Sequence, residues 1–131
     1  MNPSAGSFFV NPRYQRHFWT VSISIPDNES LFLIYNTFLS GQLKRFKPTV
    51  QEQGPAIIKA ALQLHMSVVA NFRKTAINFH YEFNLRHLSN VFQGLLLADP
   101  AKFQDPDKLV RLWVHESERT YGDRLVSNEH L

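Results

Sequence analysis

Phe83-Asn84-Leu85-Arg86-His87-Leu88-Ser89-Asn90-Val91-Phe92-Gln93-Gly94-Leu95-Leu96-Leu97 is the stretch from which the remainder of the chain can be read. Leu85, Leu88, Val91 with Phe92, and Leu95 with Leu96 recur at three- and four-residue spacing, which predicts a helix with one buried face. Asn84 suits the N-cap, where a side-chain oxygen accepts a hydrogen bond from an orphan backbone N–H. Arg86 then falls in the first turn, where the helix dipole is positive and a cation costs about 0.3–1 kcal/mol. It lies on the polar face with Asn90 and Gln93. A cation held beside orphan N–H groups forms an anion site, and phosphate is the usual occupant of such a place. A solvated surface arginine is the plainer reading, and this helix alone does not decide between the two.

Working outward, three more helices share the same grammar. Asp27 caps the first, with Glu29 in its first turn. Leu31, Ile34, Tyr35, Phe38 and Leu39 form its apolar face, and Lys44-Arg45 stand at its favourable C-terminal end before Lys47-Pro48. The second runs from about Gln51 to Phe72, on a stripe of Ile57, Ala61, Leu64, Val68 and Phe72 widened by Ile58, Leu62 and Val69. Gly54-Pro55 can delay its regular start. The last opens at Asp105-Pro106-Asp107, with the cap followed by proline at the first helical position, and carries Leu109, Leu112, Trp113 and Tyr121 to a stop at Gly122. Asp107 and Arg111 form an i,i+4 pair worth about 0.2–0.5 kcal/mol. Beyond Arg124 the chain is polar.

The first 26 residues differ. Met1 to Ser7 is loop chemistry, Phe8-Phe9-Val10 is a short apolar patch, and Asn11-Pro12 signals a helix start. Arg13-Tyr14-Gln15-Arg16-His17-Phe18 reads as a short basic helix or turn, with cations three apart that can act together on one phosphate; a basic surface turn is the alternative. Trp19-Thr20-Val21-Ser22-Ile23-Ser24-Ile25 alternates with period two and predicts a strand ended by Pro26. Only Thr75 to Tyr81 offers a second, weaker strand. A lone strand cannot satisfy its own backbone groups, so its sheet is expected to lie outside this chain, making the sequence a fragment.

Composition narrows the classes. The 131 residues contain 44% hydrophobic residues, enough to bury a core. Fourteen Lys+Arg against eleven Asp+Glu give +3, too weak and too scattered to argue for nucleic acid. Eleven Phe fall mostly within the periodic segments, and the absence of cysteine removes disulfides and thiolate metal sites. No apolar run approaches the roughly 18 residues that span a bilayer, and the N-terminus is not a signal peptide. These features predict a soluble, mostly helical chain without a membrane partner. Self-contained enzyme motifs are missing too. His115-Glu116 does not continue into a His-Glu-x-x-His zinc pattern, because Arg119 stands where the second histidine belongs. His80 and His87 have no ligand partners at metal spacing and read as structural or surface residues. There is neither a Gly-x-Ser-x-Gly elbow nor a Gly-rich phosphate loop followed by Lys-Ser/Thr.

Five runs carry a resemblance: Asn2-Pro3-Ser4-Ala5-Gly6-Ser7-Phe8, Asn11-Pro12-Arg13-Tyr14-Gln15-Arg16-His17-Phe18, Ile34-Tyr35-Asn36-Thr37, Phe79-His80-Tyr81-Glu82-Phe83-Asn84-Leu85-Arg86 and Leu109-Val110-Arg111-Leu112-Trp113-Val114-His115-Glu116. In that order they resemble the dynein heavy chain family, in the third AAA+ module of its motor ring, with the nearest likeness to axonemal outer-arm chains of the beta type. The resemblance covers essentially the whole chain. It implies a mostly α fold: a helical AAA+ lid bundle preceded by one strand and a short helix from the end of an α/β large subdomain. Residues 1–26 would close the large subdomain, 27–122 would form the lid, and 123–131 would link to the next segment. The Walker A and Walker B segments would lie upstream, which agrees with the lone strand.

The same resemblance implies residue roles. Asn2 matches sensor I, which orients the attacking water or contacts the γ-phosphate. Arg86 matches sensor II, a lid arginine reaching the γ-phosphate of its own module. Arg16, with Arg13 as second candidate, matches the arginine finger directed at the preceding module. Ile34 and Leu85 are adenine-side candidates. His87 departs from the acidic residue expected after the sensor II arginine, which puts the hold on Arg86 in doubt. ATP or ADP with Mg is the implied ligand of the complete module, and none is expected for the 131 residues alone. Implied partners are the neighbouring modules, the microtubule through another part of the chain, and intermediate and light chains through the tail, in an axoneme of a cilium or flagellum. The competing expectation is a standalone helical interaction domain that binds no nucleotide.

Overall fold

The structure, a computed structural model, describes residues 11–126. Among these residues six helices follow one another: α1 (Pro12–Gln15), α2 (Asn28–Leu43), α3 (Pro48–Gln51), α4 (Gly54–Asn71), α5 (Leu85–Leu96) and α6 (Pro106–Tyr121), with a 3-10 turn over Gly122–Arg124. The four long helices pack as two pairs, α2 on α4 and α5 on α6, and contacts of α2 with α5 and of α4 with α6 join the pairs.

Helical spacing explains which residues face inward. On α2, Leu31, Tyr35, Leu39 and Leu43 recur every four residues and are buried. They meet Ile57, Ile58, Ala61 and Leu62 of α4, Leu88, Phe92 and Leu95 of α5, and Leu109 of α6 in one core. Each such side chain contributes about 1.5–3 kcal/mol by leaving water. Tyr35 stacks on Phe92 with ring centroids 4.2 Å apart, and its hydroxyl is 2.9 Å from Ser89 Oγ. A smaller cluster of Val68, Val91 and Tyr121, flanked by Phe72, Phe83 and Trp113, closes one end. Gly54 is where α4 comes close to α2: a Cβ there would stand 3.0 Å from Leu43 Cδ1.

Three predicted caps are made, that of Asn84 at the start of α5 among them. Asp27 Oδ1 accepts from Ser30 N at 3.2 Å, and Asn11 Oδ1 accepts from Arg13 N at 2.9 Å. Other expectations are corrected. Residues 48–53 form the separate turn α3 and its connection, so the long helix begins at Gly54 rather than near Gln51. Asp105 makes no side-chain cap and instead pairs with Lys108 at 3.7 Å, and the Asp107–Arg111 pair does not form. Gly122 keeps a helical φ of −63° and passes the chain into the 3-10 turn, so it is not a left-handed stop.

The expected strand is the largest correction. Trp19 to Ile25 is irregular, and no strand occurs among the described residues. Trp19 is 95% and Ile23 90% exposed. Alternation assigns side chains to two faces, but a strand also needs a neighbour for its N–H and C=O groups, and none is present among these residues. Thr75 to Tyr81 is likewise a loop, held by Asn78 N donating to Thr75 Oγ1 at 3.0 Å and Tyr81 N donating to Asn78 O at 3.2 Å. Since the core of the described residues lies within 31–121, a chain beginning at Asp27 is expected to keep its far-UV helical signal and to be more soluble than the full 131 residues, having lost the exposed Tyr14, Phe18, Trp19, Val21, Ile23 and Ile25. Circular dichroism and sedimentation of the two forms check this; a less soluble shortened chain would mean that residues 11–26 cover more of the bundle than the edge of the cleft that Ile25 and Pro26 line.

Candidate functional site

The start of α5 is built by its own sequence. Asn84 is extended (φ −134°, ψ 174°), and its Oδ1 accepts from Arg86 N at 3.0 Å. His87 Nδ1 reaches back to accept from Asn84 N, also at 3.0 Å. With the Asn84 side chain also accepting from the His87 backbone N–H, the His87 bond completes a capping box in which histidine occupies the place usual for Glu or Gln. The first turn contains no acidic residue, and Arg86 forms no ion pair among the described residues. An exposed guanidinium therefore stands next to the positive end of a helix with no local anion to offset it.

This guanidinium is on the rim of a cleft of about 640 Å³ between the start of α2, the second half of α4 and the start of α5. Leu31, Leu85, Met66 and Val69 supply apolar lining, while Asn28, Asn84, Arg86 and His65 supply the polar groups. A mostly apolar cleft with a cation among its lining residues suits an apolar group carrying an anionic tail. Behind it, His65 Nδ1 lies 2.9 Å from the Tyr121 hydroxyl, both groups buried. Burial, and then the neighbouring His87, hold the His65 imidazole below its ordinary value, and burial pushes the Tyr121 phenol up. Burial, and then the Arg124 charge, hold His87 down as well.

The other sequence candidates are placed differently. Leu85 lines the cleft, whereas Ile34 is 44% exposed and does not; Leu31, three residues earlier, does. Arg13 and Arg16 line a separate hollow of about 330 Å³ with Tyr14 and His17, and Arg16 Nε lies 3.4 Å from His17 Nε2. That hollow and the cleft share no residue, so the structure does not bring these arginines to Arg86. Asn2 lies outside the described residues. His115 is exposed, while Glu116 is buried and binds Arg119 at 2.6 Å. No group of three or more His, Asp or Glu side chains among the described residues is placed to hold a metal. Sequence reasoning passed over His65 and Met66. His65 was detectable, since it stands four residues after Ala61 and three before Val68 in the buried stripe of α4.

Residues 57–131 match the family described as AAA+ lid domain. The chain is 58% identical over 127 residues to the flagellar outer-arm dynein alpha chain of Chlamydomonas reinhardtii, covering 97% of this chain. It is 50% identical over 131 residues to mouse axonemal dynein heavy chain 17, covering 98%, and 45% identical over 133 residues to the ciliary dynein beta chain of Tripneustes gratilla, covering all of it. The likeness is thus shared by a dynein alpha chain and a dynein beta chain. This chain spans 3% of the length of each of these relatives.

Proposed function

The chain belongs to the AAA+ lid family, in the form carried by outer-arm dynein heavy chains, and from that premise we propose that it is the nucleotide-sensing lid of the third module in an ATP-driven, axonemal microtubule motor. The observation that carries this reading is the unpaired Arg86 guanidinium at the start of α5, on the rim of an apolar cleft. In it Arg86 faces the γ-phosphate of its own module, and Leu85 with Leu31 flanks the adenine; Ile34, standing outside the cleft, is the weaker candidate. Asn2 is assigned to sensor I. Arg16, with Arg13 beside it, is assigned to the preceding module, and its separation from the cleft supports action in trans.

Phosphoryl transfer spreads charge over equatorial oxygens, and fixed guanidinium groups stabilise that charge in a planar, bidentate way. A lid holding one such group binds ATP and ADP unequally, and this difference is what biases it between two positions. Mg accompanies the nucleotide in the complete module. The reading also includes the ring's neighbouring modules as contacts, and the microtubule and the intermediate and light chains as partners of other segments.

Because backbone N–H groups and a lysine of a phosphate loop are required to cradle the phosphates, the 131 residues alone are expected neither to bind Mg·ATP at micromolar affinity nor to release phosphate. The same residues joined to the upstream half of the module are expected to bind it. Calorimetry and a phosphate-release assay on both forms make the comparison. Tight binding with steady turnover by the 131 residues alone would overturn the reading.

A further inference from the structure

We propose that His87 is a positioning residue for Arg86: its neutral imidazole closes the first turn of α5 by accepting the Asn84 N–H, and protonation opens that turn and releases the guanidinium from the cleft rim. This rests on the reading of Arg86 as the phosphate-facing group.

The geometry is specific. An Nδ1 that accepts a backbone N–H carries no proton, so the imidazole is the neutral tautomer protonated at Nε2. The ring is only 6% exposed and packs edge-on against Phe83 at 5.8 Å, and Phe83 in turn packs on Tyr121 at 5.9 Å. Arg86 donates its N–H to Asn84 Oδ1, and the Asn84 N–H is held in turn by His87 Nδ1. Both bonds therefore fix the turn from which the guanidinium projects.

A proton on Nδ1 removes the acceptor for Asn84 N and adds a cation at the positive end of α5. The charged and titratable groups facing His87 are Arg124 of the 3-10 turn, Arg86 on its own helix, Glu82 in the preceding loop and His65 of α4, with Tyr121 of α6 behind Phe83. Glu82 is the lone acid in that set, and it is exposed and tied to Lys74 at 3.3 Å. Because folding favours the neutral imidazole, the unfolded chain binds the extra proton first. The cap's contribution is therefore full above the ordinary value of 6.5 and is lost as pH falls through the lower value of the folded state.

The test uses the intact heavy chain and two readouts. Hydrogen exchange of the peptide spanning residues 83–90, corrected for its intrinsic pH dependence, reports the cap directly. At pH 7.5 protection is expected to drop about fivefold in His87→Ala and to persist in His87→Gln, which keeps an acceptor at the capping-box position. As the pH is lowered through the depressed folded-state value of His87, the wild type is expected to come to resemble His87→Ala, while His87→Gln stays unchanged. The second readout is ATP-over-ADP preference at this module, which should follow the same pattern across pH and variants. Unchanged exchange in His87→Ala, or a glutamine variant as acid-sensitive as wild type, would overturn the proposal. If His87→Ala fails to fold, the comparison of wild type with His87→Gln across pH decides by itself. A cap that behaves as expected, in a protein whose Arg86→Ala variant keeps its ATP preference, would instead sink the reading of Arg86 and with it the positioning role.

Discussion

Arg86→Ala in an otherwise intact ring is expected to reduce the preference of the third module for ATP over ADP by tenfold or more. Charge-assisted hydrogen bonds contribute about 1.5–3 kcal/mol, and about 1.4 kcal/mol corresponds to one decade. The guanidinium is exposed and has no ion-pair partner among the described residues, so removing it breaks no ion pair. Arg86→Lys should recover only part of the preference, because an ammonium lacks the planar fork that matches phosphate oxygens. Arg16→Ala should leave affinity at this module nearly unchanged and disturb the preceding one, in keeping with a hollow that shares no residue with the cleft. Site-resolved nucleotide occupancy in the two modules is the measurement. An Arg16 variant that empties the third site and spares the second would overturn the trans assignment.

A comparable loss, in stability rather than binding, is expected for Leu88→Ala. Leu88 is fully buried at the centre of the bundle, one residue after the capping histidine. Truncating such a leucine removes its transfer free energy and leaves a cavity, together about 2–5 kcal/mol. A domain of this size has only about 5–15 kcal/mol in total, so the urea midpoint should drop sharply with little change in slope. Leu97→Ala is the matched control: at 83% exposed it should shift stability by no more than about 0.5 kcal/mol. Similar midpoints for the two variants would show that α5 does not bury the face assigned to it.

The leucine contrast also marks how far the sequence could be read. Leu88 and Leu95 were legible as core residues because a helix repeats every 3.6 residues, and the spacing of apolar side chains on α2, α4, α5 and α6 follows that repeat. The caps at Asn11, Asp27 and Asn84 were legible for a related reason: each is a bond spanning two or three residues, settled by side-chain type and backbone geometry. Trp19 to Ile25 shows where this ends. Its period-two pattern is as regular as any helix stripe, yet a strand is completed by hydrogen bonds to another segment, and the local pattern carries no information on whether that segment is at hand.

The cleft belongs to the same category. Sequence pointed to Arg86 through its place in a first turn and to Leu85 through the family likeness, and both stand at the cleft. It pointed to Ile34 as well, but the rotation of α2 against α4 and α5 turns Leu31 toward the cleft and leaves Ile34 toward water. His87 looked like a departure that weakened the hold on Arg86. Folded, it is buried by Phe83 and Arg124 is near enough to lower its basicity, so a ring that would be partly protonated near neutral pH in water serves as a hydrogen-bond acceptor for Asn84. What the sequence determined by itself are the four long helices, the caps at Asn11, Asp27 and Asn84 and most of the buried stripes, because those depend on neighbours within one or two turns; the Asp105 cap did not form, and Ile34, Phe38 and Val69 of the expected faces are exposed. Which stripes meet, which side chains converge on Arg86, and which protonation state His87 holds were decided by tertiary packing, since burial and charge at a point in space come from residues up to tens of positions apart.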